Sequence, residues 1–264
     1  MTVPMGARVL AIASGKGGVG KSTIAVMLAL VLARRGNQVG LLDADLYGPD
    51  VPRMLGLSRV EPAAHITVWK ESADSRARPL EYEGIKVWST QFLMAEAQAF
   101  SMQAGLAGLL LRRAFSVVEW GDVDWLIVDM PPGTADVQQQ IASLSPTAVL
   151  LVVTPQDVAH LDAKKVLTMM RNDGVPVIGG VENMVSARCP HCSGVVEIFP
   201  KTPEGRTIWA AGVPKLVSIA FSSELGQLTE GGTLGSSRGG SAVSIFEDLA
   251  DRVSAAWPSP PSPP

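Results

Sequence analysis

The feature that most constrains this chain is a nine-residue loop near its start, which reads G-K-G-G-V-G-K-S-T. It fits the pattern G-x-x-x-x-G-K-[ST], in which glycines let the backbone fold into a nest whose N–H groups bind a polyphosphate. An apolar run at Val9–Ala13 predicts a buried strand before the loop, and Ile24–Ala33 predicts a helix after it. The phosphates then also meet the positive end of that helix. We therefore expect this loop to bind ATP through Gly15, Lys16, Gly17, Gly18, Val19, Gly20, Lys21, Ser22 and Thr23.

Side chains with predicted chemical roles lie in the loop and at the ends of two further apolar runs. We expect Lys21 to reach the β- and γ-phosphates of ATP and the Ser22 hydroxyl to take one position on Mg²⁺. Asp43 and Asp45 follow the run at 39–42, and Asp129 ends the run at 125–129. The carboxyl ends of parallel strands meet at one edge of a sheet. We therefore predict that Asp43 and Asp129 serve the Mg²⁺ and that Asp45 activates the attacking water, although spacing alone does not separate Asp43 from Asp45.

The order of apolar runs predicts an α/β fold with a doubly wound, mostly parallel sheet. Further strands are expected at 85–89, 147–153, 175–181 and 216–219, with helices at 100–118, from 154 onwards and at 241–257. Residues 61–83 have mixed charge and no clear period, so we expect an exposed, irregular segment there. We expect one domain over 8–257, a flexible leader over 1–7 and a disordered Pro/Ser tail over 258–264.

Composition narrows the possible partners. The 264 residues carry a net charge of −3 without a long basic run, so nucleic acid is not an expected partner. The absence of a signal peptide and the presence of only two cysteines favour a reducing cytoplasm. The longest apolar run is too short to span a bilayer, and the polar face of the last predicted helix carries three acids against one arginine. We expect no membrane contact.

The two cysteines form the sequence Cys189-Pro190-His191-Cys192. Such a pair is compatible with a redox site, half a zinc site or half an iron–sulfur site. Two thiolates fill only half of a tetrahedral or cubane site, and two copies related by two-fold symmetry would supply four, enough for one 4Fe-4S cluster. We expect His191 not to be a ligand and His160, on a predicted helix, to have a structural role.

Several motifs resemble one family of ATPases. Lysine directly after the first loop glycine, Lys16, is typical of the deviant-Walker family, which includes nitrogenase iron protein, the Min and Par positioning ATPases and the Mrp/ApbC iron–sulfur carriers. Residues 43–52, D-A-D-L-Y-G-P-D-V-P, resemble the carriers' D-A-D-x-Y-G-P-S-x-P, and residues 129–136 resemble D-x-P-P-G-T-G-D. The carriers also have C-P-x-C where this chain has its cysteines. The chain departs from the carriers at Asp50, Ser101–Gly105, Ala135, Ser193 and Ala220.

The resemblance implies an ATP-hydrolysing iron–sulfur cluster carrier that works as a homodimer. It implies that Lys16 acts across the dimer on the partner's nucleotide, that Asn183 reads the base, and that Cys189 and Cys192 of two subunits bridge a 4Fe-4S cluster. The expected partners are scaffold proteins that supply the cluster and apo iron–sulfur proteins that receive it. Two alternatives stay open: a Min- or Par-like positioning or regulatory ATPase, and a dimer in which the cysteines hold a structural zinc.

Overall fold

A nine-stranded, mostly parallel sheet forms the centre of the protein. The computed structural model describes residues 6–45, 48–57, 77–93, 118–133, 148–234 and 241–258. The strand order is β3-β4-β2-β5-β1-β6-β7-β8, with β9 also paired to β7, and only β3 and β8 pair in the antiparallel sense. The strands are β1 (Arg8–Ala13), β2 (Val39–Asp43), β3 (Leu80–Tyr82), β4 (Ile85–Ser89), β5 (Trp125–Asp129), β6 (Ala148–Val153), β7 (Val177–Arg188), β8 (Val195–Val196) and β9 (Lys215–Phe221).

Helices cover both faces of this sheet, which confirms the doubly wound α/β prediction. The described helices are α1 (Lys21–Arg34), α2 (Val51–Met54), α3 (Asp157–Asn172), α4 (Ser223–Glu230) and α5 (Ser241–Ala255). Leu10 and Ile12 of β1 pack into one core with α1 and α5, whereas Val9 and Ala11 pack into a second core with α3. Because both faces of the central strands are buried, the strands consist of continuous apolar runs that are easily recognised in the sequence.

Helix α5 packs on α1 through an apolar stripe, opposite the acidic face described in the sequence. Phe246, Leu249, Ala250 and Val253 are buried in the core shared with α1. The guanidinium of Arg35, just after α1, donates a 2.6 Å hydrogen bond to the Asp251 carboxylate of α5. Among the described helices, none combines the length and the apolar character that a membrane crossing requires.

Two of the predicted boundaries are wrong. The strand expected at 175–181 does not end before Glu182 but continues, as β7, to Arg188. It continues because its backbone keeps partners: β9 pairs with it as far as Ala187, and β8 folds back on residues 187 and 188. The segment expected to be irregular contains β3, which pairs with β4.

Other expectations lie wholly or mainly outside the described residues. They are the predicted helix at 100–118, of which only Val118 is described, most of the leader and tail, and the departures at Ser101–Gly105 and Ala135.

Candidate nucleotide and metal sites

The glycine-rich loop joins β1 to α1 at the carboxyl end of the sheet. Gly20 immediately precedes α1 with a φ of +90°, and no side chain caps the helix, so first-turn N–H groups are directed toward the loop without a side-chain acceptor. A Cβ atom at Gly15 would lie 2.3 Å from the backbone carbon of Asp162 on α3, so the loop packs directly against that helix. The arrangement matches an anion site at a helix N-terminus.

The carboxylate of Asp129 lies buried beside the loop lysine. Its Oδ1 is 3.9 Å from Lys21 Nζ, and neither of its oxygens has a hydrogen-bond partner among the described residues. Burial raises the pKa of Asp129 to about 6, while the Lys21 charge and the Ser22 hydroxyl act in the opposite direction. A buried carboxylate without a donor, next to a loop hydroxyl, suits a hard cation with oxygen ligands. The residues therefore fit Mg²⁺.

Asp43 lies on β2, in register with Asp129 on β5. Its carboxylate is held by hydrogen bonds that the sequence does not predict. Its carboxylate is buried and accepts hydrogen bonds from Ser89 Oγ (3.0 Å) and from the backbone N–H groups of Val51 (3.3 Å) and Asp45 (3.2 Å). Burial and the charge of Asp129 raise its pKa well above the ordinary range. These contacts join the ends of β2 and β4 to the start of α2. One signal in the sequence indicates that Ser89 contacts this site: it ends β4 at the position where aspartates end β2 and β5.

Asp45 is the more accessible of the two neighbouring aspartates. It is half-buried, two residues beyond the end of β2, and its Oδ1 accepts a hydrogen bond from the Gly48 N–H at 3.3 Å. Its charge raises the pKa values of both buried aspartates, which places it near them.

Lys16 makes a contact within its own chain that the sequence does not reveal. Its Nζ donates a 2.6 Å hydrogen bond to Oε1 of Gln156, the residue before α3. The Thr154 hydroxyl lies 3.4 Å from the same oxygen. In the single chain, the lysine expected to act on a partner's nucleotide is therefore held by Gln156.

Asn183 of β7 is bound to the loop itself. It is buried, and its Nδ2 donates a 2.8 Å hydrogen bond to the carbonyl oxygen of Val19. A Cβ atom at Gly20 would lie 2.3 Å from the same nitrogen, so the side chain lies directly against the loop. Asn183 therefore supports the backbone of the loop, a contact that is separate from its expected recognition of the nucleotide base.

The cysteines lie on the turn of a β-hairpin formed by β7 and β8. The Cys189 N–H donates to the Gly194 carbonyl (2.8 Å), and the Ser193 N–H donates to the Cys189 carbonyl (2.9 Å). Ser193 has a φ of +57°, so it adopts the left-handed conformation that favours glycine. Hydrogen bonds from the backbone N–H groups of Cys192 and His191 to the sulfur lower the pKa of Cys189.

Both thiols are accessible: Cys192 is exposed and Cys189 is partly exposed. Within the described part of the chain, no third His, Cys, Asp or Glu joins them to form a metal-binding cluster.

His160 is buried on α3, in agreement with the structural role expected for it. Its Nδ1 accepts a hydrogen bond from the Ile208 N–H at 3.2 Å. Its Nε2 lies 3.8 Å from Glu182 Oε1, and Lys215 Nζ lies 2.6 Å from Glu182 Oε2. The imidazole and the ammonium together lower the pKa of Glu182 to about 2. This network holds α3, β7 and β9 together.

Comparisons with known proteins agree with this geometry. Residues 6–254 match the ParA family model described as NUBPL iron-transfer P-loop NTPase. The chain is 37% identical over 259 residues to the iron-sulfur cluster carrier protein of Escherichia coli K12; the match covers 94% of this chain and 66% of that protein.

Two solved structures show the same architecture. The nucleotide-binding protein of Archaeoglobus fulgidus in complex with ADP is 30% identical, with a TM-score of 0.73 and coverage of 90% of this chain and 91% of the other. The cell division ATPase MinD of Pyrococcus furiosus is 20% identical, with a TM-score of 0.69 and coverage of 94% and 98%, and it supports the fold alone.

Proposed function

The chain belongs to the ParA family of NUBPL-type iron-transfer P-loop NTPases, and on that premise we propose that it is an ATP-hydrolysing carrier of iron–sulfur clusters. As a homodimer it holds one 4Fe-4S cluster between Cys189 and Cys192 of its two subunits and transfers the cluster to apo iron–sulfur proteins. The observation that carries the proposal is the accessible thiol pair on the β7–β8 turn, which has no third ligand among the described residues. A carrier needs an exposed site that binds its cargo and releases it.

In this proposal the loop binds the nucleotide and the strand ends organise hydrolysis. Lys21 holds the β- and γ-phosphates, and Ser22 and Asp129 hold Mg²⁺, with Asp43 as the third residue of that network. The ion, when bound, neutralises charge on the phosphates. Asp45 orients or activates the attacking water. Lys16 leaves Gln156 to reach the nucleotide of the second subunit, where its charge stabilises the transition state.

Strand β7 offers a direct connection between nucleotide and cargo. Asn183 contacts the loop and Cys189 follows the last residue of the same strand, six residues away or at most about 20 Å of extended chain. Between them, Met184 has a φ of +60° and the register with β9 shifts. We infer that a change in the loop reaches the thiols through this irregular strand, and that the nucleotide state controls cluster binding by this route.

Anaerobic reconstitution with iron and sulfide tests the proposal. We expect a brown protein with about four irons per dimer, and loss of iron in Cys189→Ser and in Cys192→Ser. His191→Ala is the matched control, because it alters a side chain of the same turn that we do not count as a ligand, and it should keep the cluster. ATP turnover should survive all three changes, since the thiols do not contact the phosphates. A colourless dimer that holds one zinc tightly under these conditions would replace the carrier proposal with a zinc-stabilised ATPase.

A further inference from the structure

The hydroxyl of Ser89 connects the segment that follows β4 to the carboxylate of Asp43. It accepts a hydrogen bond from the Gln91 N–H at 3.2 Å and donates one to Asp43 Oδ2 at 3.0 Å. Ser89 and Asp43 are both fully buried, so bulk water does not compete for this contact. Because the Gln91 N–H occupies an acceptor position of the hydroxyl, the hydroxyl proton is directed to the carboxylate.

Asp43 in turn closes the loop that carries Asp45. Its Oδ1 accepts a hydrogen bond from the Asp45 N–H at 3.2 Å, and its Oδ2 accepts one from the Val51 N–H at 3.3 Å. Val51 begins α2, so one carboxylate holds both ends of the loop. The bond from Ser89 is the shortest of these three, and it therefore contributes most to the orientation of the carboxylate.

The position of Asp45 depends on this loop. Asp45 lies beyond the end of β2, and its backbone N–H bonds to Asp43 rather than to a neighbouring strand. Its own carboxylate accepts a hydrogen bond from the Gly48 N–H at 3.3 Å, within the same loop. Both contacts follow the conformation that Asp43 imposes. A displacement of about 1 Å in a catalytic group is enough to cost about a hundredfold in rate.

We propose that Ser89 is a positioning residue for ATP hydrolysis. It fixes the Asp43 carboxylate, which holds the backbone of Asp45 in place for the attacking water. The inference rests on the proposed function, in which Asp45 orients or activates that water. The glycine-rich loop that binds the phosphates lies outside this series of contacts, so Ser89 affects the rate of hydrolysis rather than the affinity for ATP.

The test compares single-turnover ATP hydrolysis in Ser89→Ala, in Asp45→Asn and in the double variant, with the dissociation constant of ATP measured by calorimetry. Ser89→Ala should lower the rate about 10- to 100-fold and leave the dissociation constant nearly unchanged. In the Asp45→Asn background the same substitution should have almost no further effect, because the carboxylate that it positions has already been removed. A merely structural role of Ser89 would give similar losses in both backgrounds.

Hydrogen exchange of the nucleotide-free protein gives a readout that is independent of activity. In Ser89→Ala the amides of Asp45 and Val51 should exchange faster than in the unaltered protein. Thr90→Val is the matched control, because the Thr90 hydroxyl is also buried but has no hydrogen-bond partner among the described residues. It should change neither the exchange nor the rate. Ser89→Cys, whose thiol is a weak donor, should show a smaller loss of the same kind and decides the question if Ser89→Ala does not fold.

The outcomes separate this inference from the proposed function. Normal hydrolysis in Ser89→Ala beside slow hydrolysis in Asp45→Asn would overturn the inference and leave the role of Asp45 standing. Equal losses in the two backgrounds would do the same, because Ser89 would then act independently of Asp45. Near-normal hydrolysis in Asp45→Asn would remove the proposed role of Asp45 and this inference with it.

Discussion

The hydrogen bond between Asn183 and the loop gives a quantitative prediction. In Asn183→Ala the Val19 carbonyl oxygen, on a residue that is 1% exposed, loses the donor that lies 2.8 Å away. An unsatisfied buried acceptor costs about 1–2 kcal/mol. If that cost falls on the phosphate-binding conformation of the loop, the dissociation constant of ATP rises about 5- to 30-fold.

Two comparisons identify the cause of the loss. Asn37→Ala removes a side-chain hydrogen bond, from Nδ2 to the Leu32 carbonyl at 2.9 Å, at the other end of α1, where that carbonyl keeps the backbone N–H groups of Arg35 and Asn37 as donors. Asn183→Ala should lower the melting temperature by about 2–8 °C and Asn37→Ala by less, and only Asn183→Ala should weaken nucleotide binding. The second comparison is inorganic tripolyphosphate, which has no base.

Calorimetric titration with ATP and with tripolyphosphate is the assay. We expect Asn183→Ala to weaken both ligands, because the supported element is the loop that binds phosphate. Any additional contact with the base would make the loss for ATP the larger of the two. Unchanged affinity for tripolyphosphate beside reduced affinity for ATP would refute the reasoning and assign Asn183 to the base alone.

Three further predictions concern the catalytic groups. Lys21→Ala should lose ATP affinity and Lys16→Ala should lose turnover, and mixing the two should restore part of the hydrolysis; no rescue in a demonstrated mixed dimer would argue against a shared site. Asp45→Asn should bind ATP but hydrolyse it about a hundredfold more slowly or worse, and near-normal turnover would reject its assigned role. The nucleotide-free protein tests Asp129, whose pKa rises from 3.8 to about 6 on folding. Between about pH 4 and 6 this carboxyl binds a larger fraction of a proton in the folded state than in the unfolded state. The contribution of Asp129 to the free energy of unfolding therefore falls as pH rises through that range. The melting temperature of Asp129→Asn relative to the unaltered protein should therefore increase across that range, and a constant difference would contradict the shift.

The sequence predicts the strands and their acidic ends well, because strands buried on both faces are continuous apolar runs. Trp125–Asp129 and Ile85–Ser89 agree with the structure residue for residue. The sequence predicts contacts between distant residues poorly. Lys16 and Gln156 are 140 residues apart, and Ser89 and Asp43 are 46 apart, so no local pattern relates them.

The cysteine turn shows the same limit. The residues Glu182-Asn183-Met184 themselves do not indicate whether the strand ends or continues. The strand continues because β8 and β9 pair with the rest of β7. The position of Cys189 and Cys192 on a hairpin follows from that pairing. The C-x-x-C spacing is a property of the sequence, whereas the exposed apolar side chains near the cysteines are a property of the folded chain.

Cluster transfer is the most direct measurement of the carrier role. The reconstituted dimer would be mixed anaerobically with an apo-protein whose activity requires a 4Fe-4S cluster, in the presence of an iron chelator that captures released iron. The account predicts that activity of the apo-protein appears despite the chelator, that the carrier loses colour at the same rate, and that Cys189→Ser supplies none. Activity that the chelator abolishes, or a cluster that never leaves the dimer, would contradict it.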